Sequence, residues 1–217
     1  MIKENKGKLI MTSVVILLPV LVGLILWNAL PDKVPTHWNA KNVIDGWSSK
    51  SFAVFAIPGF LLACHWLCIL ASATDPKKRN HSGKILGLVF WTCPVIAILM
   101  MVLVYGTAFG MKFELDRIMP VFMGFMFVVI GNYLPKCKQN YTIGIKIPWT
   151  LNDEENWNYT HRLGGRCWVT GGLAVMLGSL LPTGFGFALI IIVMVLLVII
   201  PMLGSYMFYR KKTGSGE

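Results

Sequence analysis

Long apolar segments alternate with short polar segments along this chain. The apolar runs cover approximately residues 9–30, 51–73, 85–109, 118–134, 163–181 and 187–209. Each is about as long as a helix that crosses the hydrocarbon core of a bilayer, which takes roughly 20 apolar residues. These runs contain no Lys, Arg, Asp or Glu except Arg166, near the start of the fifth. The pattern therefore predicts an all-α membrane protein, a six-transmembrane-helix bundle.

The composition agrees with a chain that mostly faces lipid. Hydrophobic residues make up 55% of it and charged residues 14%, whereas soluble domains carry about 25% charged residues. We divide the single predicted membrane domain into an N-terminal three-helix half, residues 1–110, and a C-terminal half, residues 111–217. The first half contains a Trp-rich polar segment, the Trp loop (31–50). The second contains a polar segment that we call the long loop (131–166).

The basic residues indicate the orientation of the chain. The formal net charge is +10, but we do not expect direct binding to nucleic acid, because the basic residues lie in short segments between apolar runs. Fifteen of the Lys and Arg residues fall on one predicted side and five on the other. The positive-inside rule then predicts that both termini and the long loop are cytoplasmic. The same residues are expected to attract anionic membrane lipids.

The Trp loop is rich in turn-forming residues, so its backbone is expected to fold back on the membrane surface. Trp38 and Trp47 suit an interfacial anchor, because tryptophan is enriched at the level of the headgroups. The alternative is an outward-facing recognition surface. His37 has no obvious partner in the sequence and is interpreted as a hydrogen-bonding histidine of the loop, with a ligand or titrating group as the alternative.

The long loop has more pattern than a linker. Isoleucines alternate with other residues over 143–147, which predicts a short extended segment. Asn152 followed three residues later by Glu155 resembles a capping box and predicts a helix start. On that helix Trp157 and His161 are four residues apart and share a face. We therefore expect a short amphipathic helix at the cytoplasmic interface, before the fifth transmembrane helix. Gly164 can end this helix with a left-handed turn, or the chain continues straight into the fifth span.

Candidate chemistry is sparse. The adjacent acids of 153–155 point in different directions around a helix, so they do not form a general acid and base pair. Their spacing from His161 does not fit a usual metal site. Cys64 and Cys68 are interpreted as buried small residues. We expect no catalytic residue, no cofactor and no metal ion, and so a protein that is not an enzyme.

Two stretches of sequence resemble a known family. The segment GNYLPKCKQNYTIGIKIPWTLNDEENWNYTHRLGG resembles the signature of the SdpI family, bacterial membrane proteins named for an immunity protein against a sporulation-delaying toxin. The segment LPDKVPTHWNAKNVIDGWSSK resembles a small uncharacterised domain that often lies at the N-terminus of such proteins. The chain departs from the family pattern at Lys146 and Ile147, where arginine and threonine are expected. Lysine keeps the charge but loses the bidentate geometry of arginine.

The resemblance implies a multi-pass protein of the bacterial plasma membrane that confers immunity to a secreted, membrane-active peptide toxin. For the namesake it also implies signalling, in which the toxin-engaged protein holds a cytoplasmic transcriptional repressor at the membrane. A small-molecule transporter or a lipid-processing membrane enzyme remains the alternative. The candidate residues for contact with a toxin or partner are His37, Trp38, Trp47, Asn132, Lys136, Asn140, Lys146, Trp149, Trp157, His161 and Arg162.

Overall fold

The computed structural model describes residues 1–39 and 41–214, and this part of the chain is mostly helical. A π-helical segment, Phe52–Ala56, leads directly into the second helix. The helices within the described residues are α1 (Lys6–Ile25), α2 (Ile57–Thr74), α3 (Gly83–Ala108), α4 (Leu115–Tyr133), α5 (Pro148–Asn152), α6 (Glu154–Gly178) and α7 (Thr183–Gly214).

Five helical segments of the described chain are long and apolar enough to cross a membrane, judged by length and composition. They are Lys6–Ile25, Phe52–Thr74, Gly83–Ala108, Leu115–Lys136 and Gly186–Gly214. The prediction of a helical membrane protein is confirmed to this extent, but six transmembrane helices are not. The predicted fifth span lies in α6, which does not qualify because its first half carries polar residues that include Arg162 and Arg166.

Of the two arrangements that the sequence allows, the structure has the continuous helix, because α6 runs without a break to Gly178. A short 3₁₀ helix, Leu134–Lys136, and the five-residue α5 precede it in the long loop. Asp153, not Asn152, caps α6, and its carboxylate accepts a hydrogen bond from the Glu155 N–H at 3.0 Å. Gly164 lies inside the helix, where a Cβ would come within 2.6 Å of Ile145 Cδ1. This glycine is therefore a site of close packing.

The Trp loop forms a two-stranded antiparallel hairpin, which the sequence pattern did not reveal. Its strands are β1 (Lys33–Trp38) and β2 (Ile44–Ser49). Asn42 adopts a positive φ of 60° in the connection, a conformation that asparagine tolerates better than most residues. The turn-forming residues are thus used to reverse the chain between two strands.

The chain divides into two compact units. The first consists of Met1–Ala73 and Leu86–Leu115, and the second of Thr74–Ile85 and Asp116–Glu217. In the first unit, the Tyr105 hydroxyl donates to the Pro19 carbonyl at 2.9 Å.

The second unit contains a close crossing of α4 and α6 at glycines. A Cβ on Gly124 would lie 2.5 Å from the carbonyl oxygen of Gly172. About two turns further along α4, the carbonyl oxygen of Gly131 would lie 2.8 Å from a Cβ on Gly165. Small residues allow the backbones of membrane helices to approach this closely. The crossing holds α6 beside α4, and α6 in turn supports the long loop.

Candidate functional site

The centre of the candidate site is a buried carboxylate just after α2. The Asp75 side chain is 0% exposed, and it accepts hydrogen bonds from the Lys77 N–H at 2.7 Å and the Tyr141 N–H at 2.9 Å. The Thr142 hydroxyl donates to it at 2.8 Å, and His81 Nε2 lies 3.3 Å away. Asp75 therefore joins the segment after α2 to the long loop, both of which belong to the second unit.

The environment of Asp75 favours its charged form. Burial alone would raise the pKa of this carboxyl group. The hydrogen bonds from Thr142, Lys77 and Tyr141, together with the charge of His81, outweigh burial and lower the pKa below its ordinary value. Hydrogen bonds to an ionised carboxylate have this effect because they stabilise the charged form. Asp75 is thus an anion at neutral pH.

Asn140 organises the tight part of the long loop. Its amide group donates to the carbonyls of Lys138 at 2.8 Å and Ile143 at 2.9 Å. Its oxygen accepts from the backbone N–H groups of Thr142 at 2.9 Å and Ile143 at 2.7 Å. These bonds match the capacity of an amide side chain for two donated and two accepted hydrogen bonds. Asn140 is fully buried, so its role here is to shape the loop.

Gln139 connects three parts of the second unit. Its side chain donates to the carbonyls of Thr150 at 2.8 Å and Leu151 at 3.0 Å, and accepts from the Lys77 ammonium group. Its backbone carbonyl accepts from the Asn80 amide at 2.7 Å. Neither Gln139 nor Asp75 stands out in the sequence pattern. The available signal was that Asp75 is the acid among the basic residues of 74–84.

Trp157 and His161 share a face of α6, as predicted. Their rings stack with centroids 4.0 Å apart, and both residues are almost completely buried. The Trp157 Nε1–H donates to the Cys137 carbonyl at 2.7 Å. The backbone of Gly144 crosses this stack with φ +119°, and a Cβ there would lie 2.3 Å from His161 Nε2. The Gly144 position therefore requires glycine for both conformation and space.

His161 is a neutral acceptor in this arrangement. Its pKa falls to about 4, because burial lowers it more than the hydrogen bond to the Trp157 carbonyl raises it. Nδ1 lies 2.8 Å from that carbonyl oxygen, and Nε2 lies 3.0 Å from the Ile145 nitrogen. The tautomer with a proton on Nδ1 satisfies both contacts, since the carbonyl needs a donor and the Ile145 N–H needs an acceptor.

A second buried polar cluster joins α6 to α7. The Asn156 amide donates to the Ser205 carbonyl at 3.0 Å, and the Ser205 hydroxyl donates to Asn156 Oδ1 at 2.6 Å. Thr160 also donates to Asn156 Oδ1, at 2.9 Å. Nearby, the half-buried Trp149 packs on Tyr206 with ring centroids 5.2 Å apart. These contacts fix the start of α6 against the end of α7.

Four other candidates of the second unit are exposed: Asn132, Lys136, Lys146 and Arg162. Lys146 donates from Nζ to the Thr142 carbonyl at 2.9 Å, and the Lys136 ammonium lies 4.8 Å from the centre of the Tyr133 ring. The candidates therefore divide into buried residues that build the loop and exposed residues that remain accessible.

The candidates of the Trp loop belong to the first unit. Trp47 is 56% exposed, His37 is exposed and Trp38 is half-buried. His37 has a partner that the sequence pattern does not reveal, since its Nδ1 lies 2.5 Å from Asp45 Oδ1 across the hairpin. Register brings these residues together because His37 pairs with Gly46, next to Asp45.

The chemistry of the second unit is that of a hydrogen-bonded scaffold. Within residues 1–39 and 41–214, no group of three His, Cys, Asp or Glu side chains could hold a metal ion. Of the two cysteines of α2 interpreted as buried, Cys68 is exposed and Cys64 is half-buried.

The described features define a membrane protein of apolar helices with a structured polar loop.

Comparison with known proteins shows which family this chain resembles. Residues 136–205 match the model of the SdpI/YfhL protein family, and residues 14–62 match a domain of unknown function, DUF1648. The chain is 29% identical over 212 residues to the "Immunity protein SdpI" of Bacillus subtilis (strain 168), covering 96% of this chain and 99% of that protein. The resemblance to the SdpI family is confirmed, and it supports an immunity role. No solved structure matches the chain.

Proposed function

We propose that this chain is an integral protein of the bacterial plasma membrane that protects its cell against a secreted, membrane-active peptide toxin. The observation that carries this proposal is the similarity to an immunity protein along nearly the whole length of both chains. The matched segments include both the hairpin and most of the long loop. Protection then operates by binding or intercepting the toxin, a role that needs a shaped surface and no reactive group.

The burial of the candidate residues indicates which of them shape the long loop and which are accessible to a toxin or partner. Asn140, Trp157 and His161 are buried, so they act by holding the long loop in shape. Contact with a toxin or partner falls to the exposed residues, which are His37, Trp47, Asn132, Lys136, Lys146 and Arg162. The half-buried Trp38 and Trp149 support the exposed residues of their own units.

The proposed topology has six crossings, with residues 163–181, which include the apolar end of α6, as the fifth and with both termini in the cytoplasm. It rests on the excess of Lys and Arg in alternate segments. Epitope tags inserted after Asn42 and at the C-terminus test it in intact cells. Antibody should reach the first tag only, and access to the C-terminal tag without permeabilisation would contradict the orientation.

The long loop is also proposed to dock a cytoplasmic transcriptional repressor. Its support is the combination of an ordered backbone with the exposed cations Lys136, Lys146 and Arg162. Replacing all three with Gln should move the repressor from the membrane fraction to the cytosol in toxin-treated cells. The control is the pair Lys78→Gln and Arg79→Gln, which also removes exposed positive charge. An unchanged distribution in the triple variant would exclude docking at these residues.

A survival assay tests the immunity proposal. The chain is expressed in bacteria sensitive to a sporulation-delaying peptide toxin, beside cells with an empty vector. Survival should rise only in cells with the chain. Equal killing of both, with the chain present in the membrane fraction, would contradict the proposed toxin class.

A further inference from the structure

A groove between α6 and α7 is lined by two arginines. It has a volume of about 490 Å³, and Arg162 and Arg166 lie on its wall with Tyr159, Leu163 and Phe208. Small-molecule sites in proteins commonly enclose about 300–1,000 Å³, so the groove has room for a phosphate-bearing headgroup. Both arginines are exposed, and they are four residues apart on α6, which places them on one face of the helix.

The charge of the groove is not neutralised from within the described part of the chain. Neither guanidinium forms an ion pair with a residue of 1–39 or 41–214. The acid on the groove wall is Glu155, and its carboxylate accepts from Lys212 Nζ at 2.8 Å. The two arginines are therefore left to bind an external anion. Arginine suits phosphate because its planar fork donates two parallel hydrogen bonds.

Besides the two arginines, Glu155 and the polar Asn158, the wall of the groove is aromatic or apolar. Phe208 stacks on Tyr159 with ring centroids 4.9 Å apart and planes inclined by 25°, and Leu163 adjoins them. Phe208 also lies near the end of the candidate span Gly186–Gly214, two residues before Arg210. The groove therefore stands where an apolar helix gives way to a basic segment, which is the depth of the headgroups.

We propose that this groove binds an anionic phospholipid, with Arg162 and Arg166 on its phosphate and with Leu163 and Phe208 against the start of its acyl chains. A free phosphate would use the arginines but leave the apolar wall without a role. Basic pockets between membrane helices bind anionic headgroups by the same combination. The proposal does not depend on the toxin, because lipid binding is measured in its absence.

Native mass spectrometry of the full chain in a neutral detergent tests the proposal. Equal amounts of dioleoyl phosphatidylglycerol and dioleoyl phosphatidylcholine are added, and the ratio of the two lipid adducts is measured. The wild-type chain should prefer phosphatidylglycerol, and Arg162→Gln with Arg166→Gln should reduce that preference about tenfold or more. The control, Lys78→Gln with Arg79→Gln, removes the same charge and should keep the preference. Both pairs are exposed, and unfolding temperature verifies their folding.

Three results would overturn the proposal. The first is an unchanged lipid preference in the Arg162 and Arg166 variant. The second is an equal loss in the control variant, which would assign the preference to net charge. The third is loss of the phosphatidylglycerol adduct when inorganic phosphate is added in large excess, which would indicate a site for free anions. Persistence of the adduct in phosphate supports a lipid site.

Discussion

The backbone N–H of Ile145 donates a hydrogen bond to Nε2 of His161 across 3.0 Å. The second ring nitrogen lies 2.8 Å from the Trp157 carbonyl, so both nitrogens of a neutral imidazole have partners. A second proton would place an N–H donor against the Ile145 N–H. The shape of the long loop therefore depends on an uncharged His161.

This dependence predicts an acid-sensitive stability. Burial lowers the pKa of His161 from 6.5 to about 4 in the folded chain. Between these two values the unfolded chain binds a proton that the folded chain does not, so stability falls as the pH decreases through this range. The full loss for one such group is about 3 kcal/mol. Unfolding temperatures of the wild type and His161→Gln, measured from about pH 7 to about pH 4, should differ in slope. Parallel curves would contradict the prediction.

Adding a methyl group at Gly144 is expected to destabilise the chain more than adding one at another glycine with a positive φ. Gly144→Ala forces alanine to φ +119° and places its Cβ 2.3 Å from His161 Nε2. We expect a loss of more than about 2 kcal/mol in the free energy of unfolding. Gly110→Ala is the matched control, because Gly110 has φ +85° but no atom within 4 Å of its added Cβ. It should cost about 1 kcal/mol. Denaturation in detergent measures both, and equal losses would exclude the contact with His161.

The buried carboxylate of Asp75 is expected to contribute more to the free energy of unfolding than an exposed carboxylate. Asp75→Asn places an amide group among the donors from Tyr141 and Thr142, and should destabilise the chain by about 2–4 kcal/mol at neutral pH. The lowered pKa of Asp75 means that its contribution is present above about pH 3.8 and is lost as the pH falls through the folded-state pKa. Unfolding temperature measures the effect.

The control for Asp75 is Asp32→Asn. Asp32 pairs with Lys50 at 3.0 Å, but its side chain is 93% exposed. Exposed ion pairs contribute little to stability, so this variant should unfold close to the wild-type temperature. A larger loss in the Asp32 variant than in the Asp75 variant would contradict the assigned role of the buried carboxylate.

The hydrogen bond from the Ser205 hydroxyl to Asn156 Oδ1 predicts energetic coupling between α6 and α7. In a double-mutant cycle, Asn156→Ala and Ser205→Ala should show an interaction free energy of about 1 kcal/mol. The cycle of Asn158→Ala with Ser205→Ala is the control, since Asn158 is exposed and should act additively. Additivity in both cycles would show that the hydrogen bond from the Ser205 hydroxyl to Asn156 does not couple the helices.

The apolar helices were predictable because their lengths follow from the thickness of a bilayer. The shared face of Trp157 and His161 was predictable from their spacing on a helix. The sequence left the continuity of α6 open, because Gly164 can end a helix as readily as it can allow close packing. The choice depends on Ile145, which packs against Gly164 from elsewhere in the long loop.

The hairpin and the buried acid lie beyond local sequence pattern for different reasons. Turn-forming residues occur all along the Trp loop, so the local pattern does not show where its two strands begin and end. The pairing of these strands depends on their register. Asp75 lies in a basic segment far along the chain from Tyr141 and Thr142, its partners. Only the folded chain brings these groups together. The sequence located the loop that carries the site, but not the residue at its centre.

The survival of cells exposed to a sporulation-delaying peptide toxin tests the central claim most directly. Cells with the wild-type chain or with Gly110→Ala should survive toxin concentrations that kill cells with the empty vector. Cells with Gly144→Ala should lose most of that protection, because the long loop is distorted at His161. Membrane fractions of all three strains should contain the chain. If the same toxin concentration kills cells with the wild-type chain and cells with the empty vector, the proposed immunity role is contradicted.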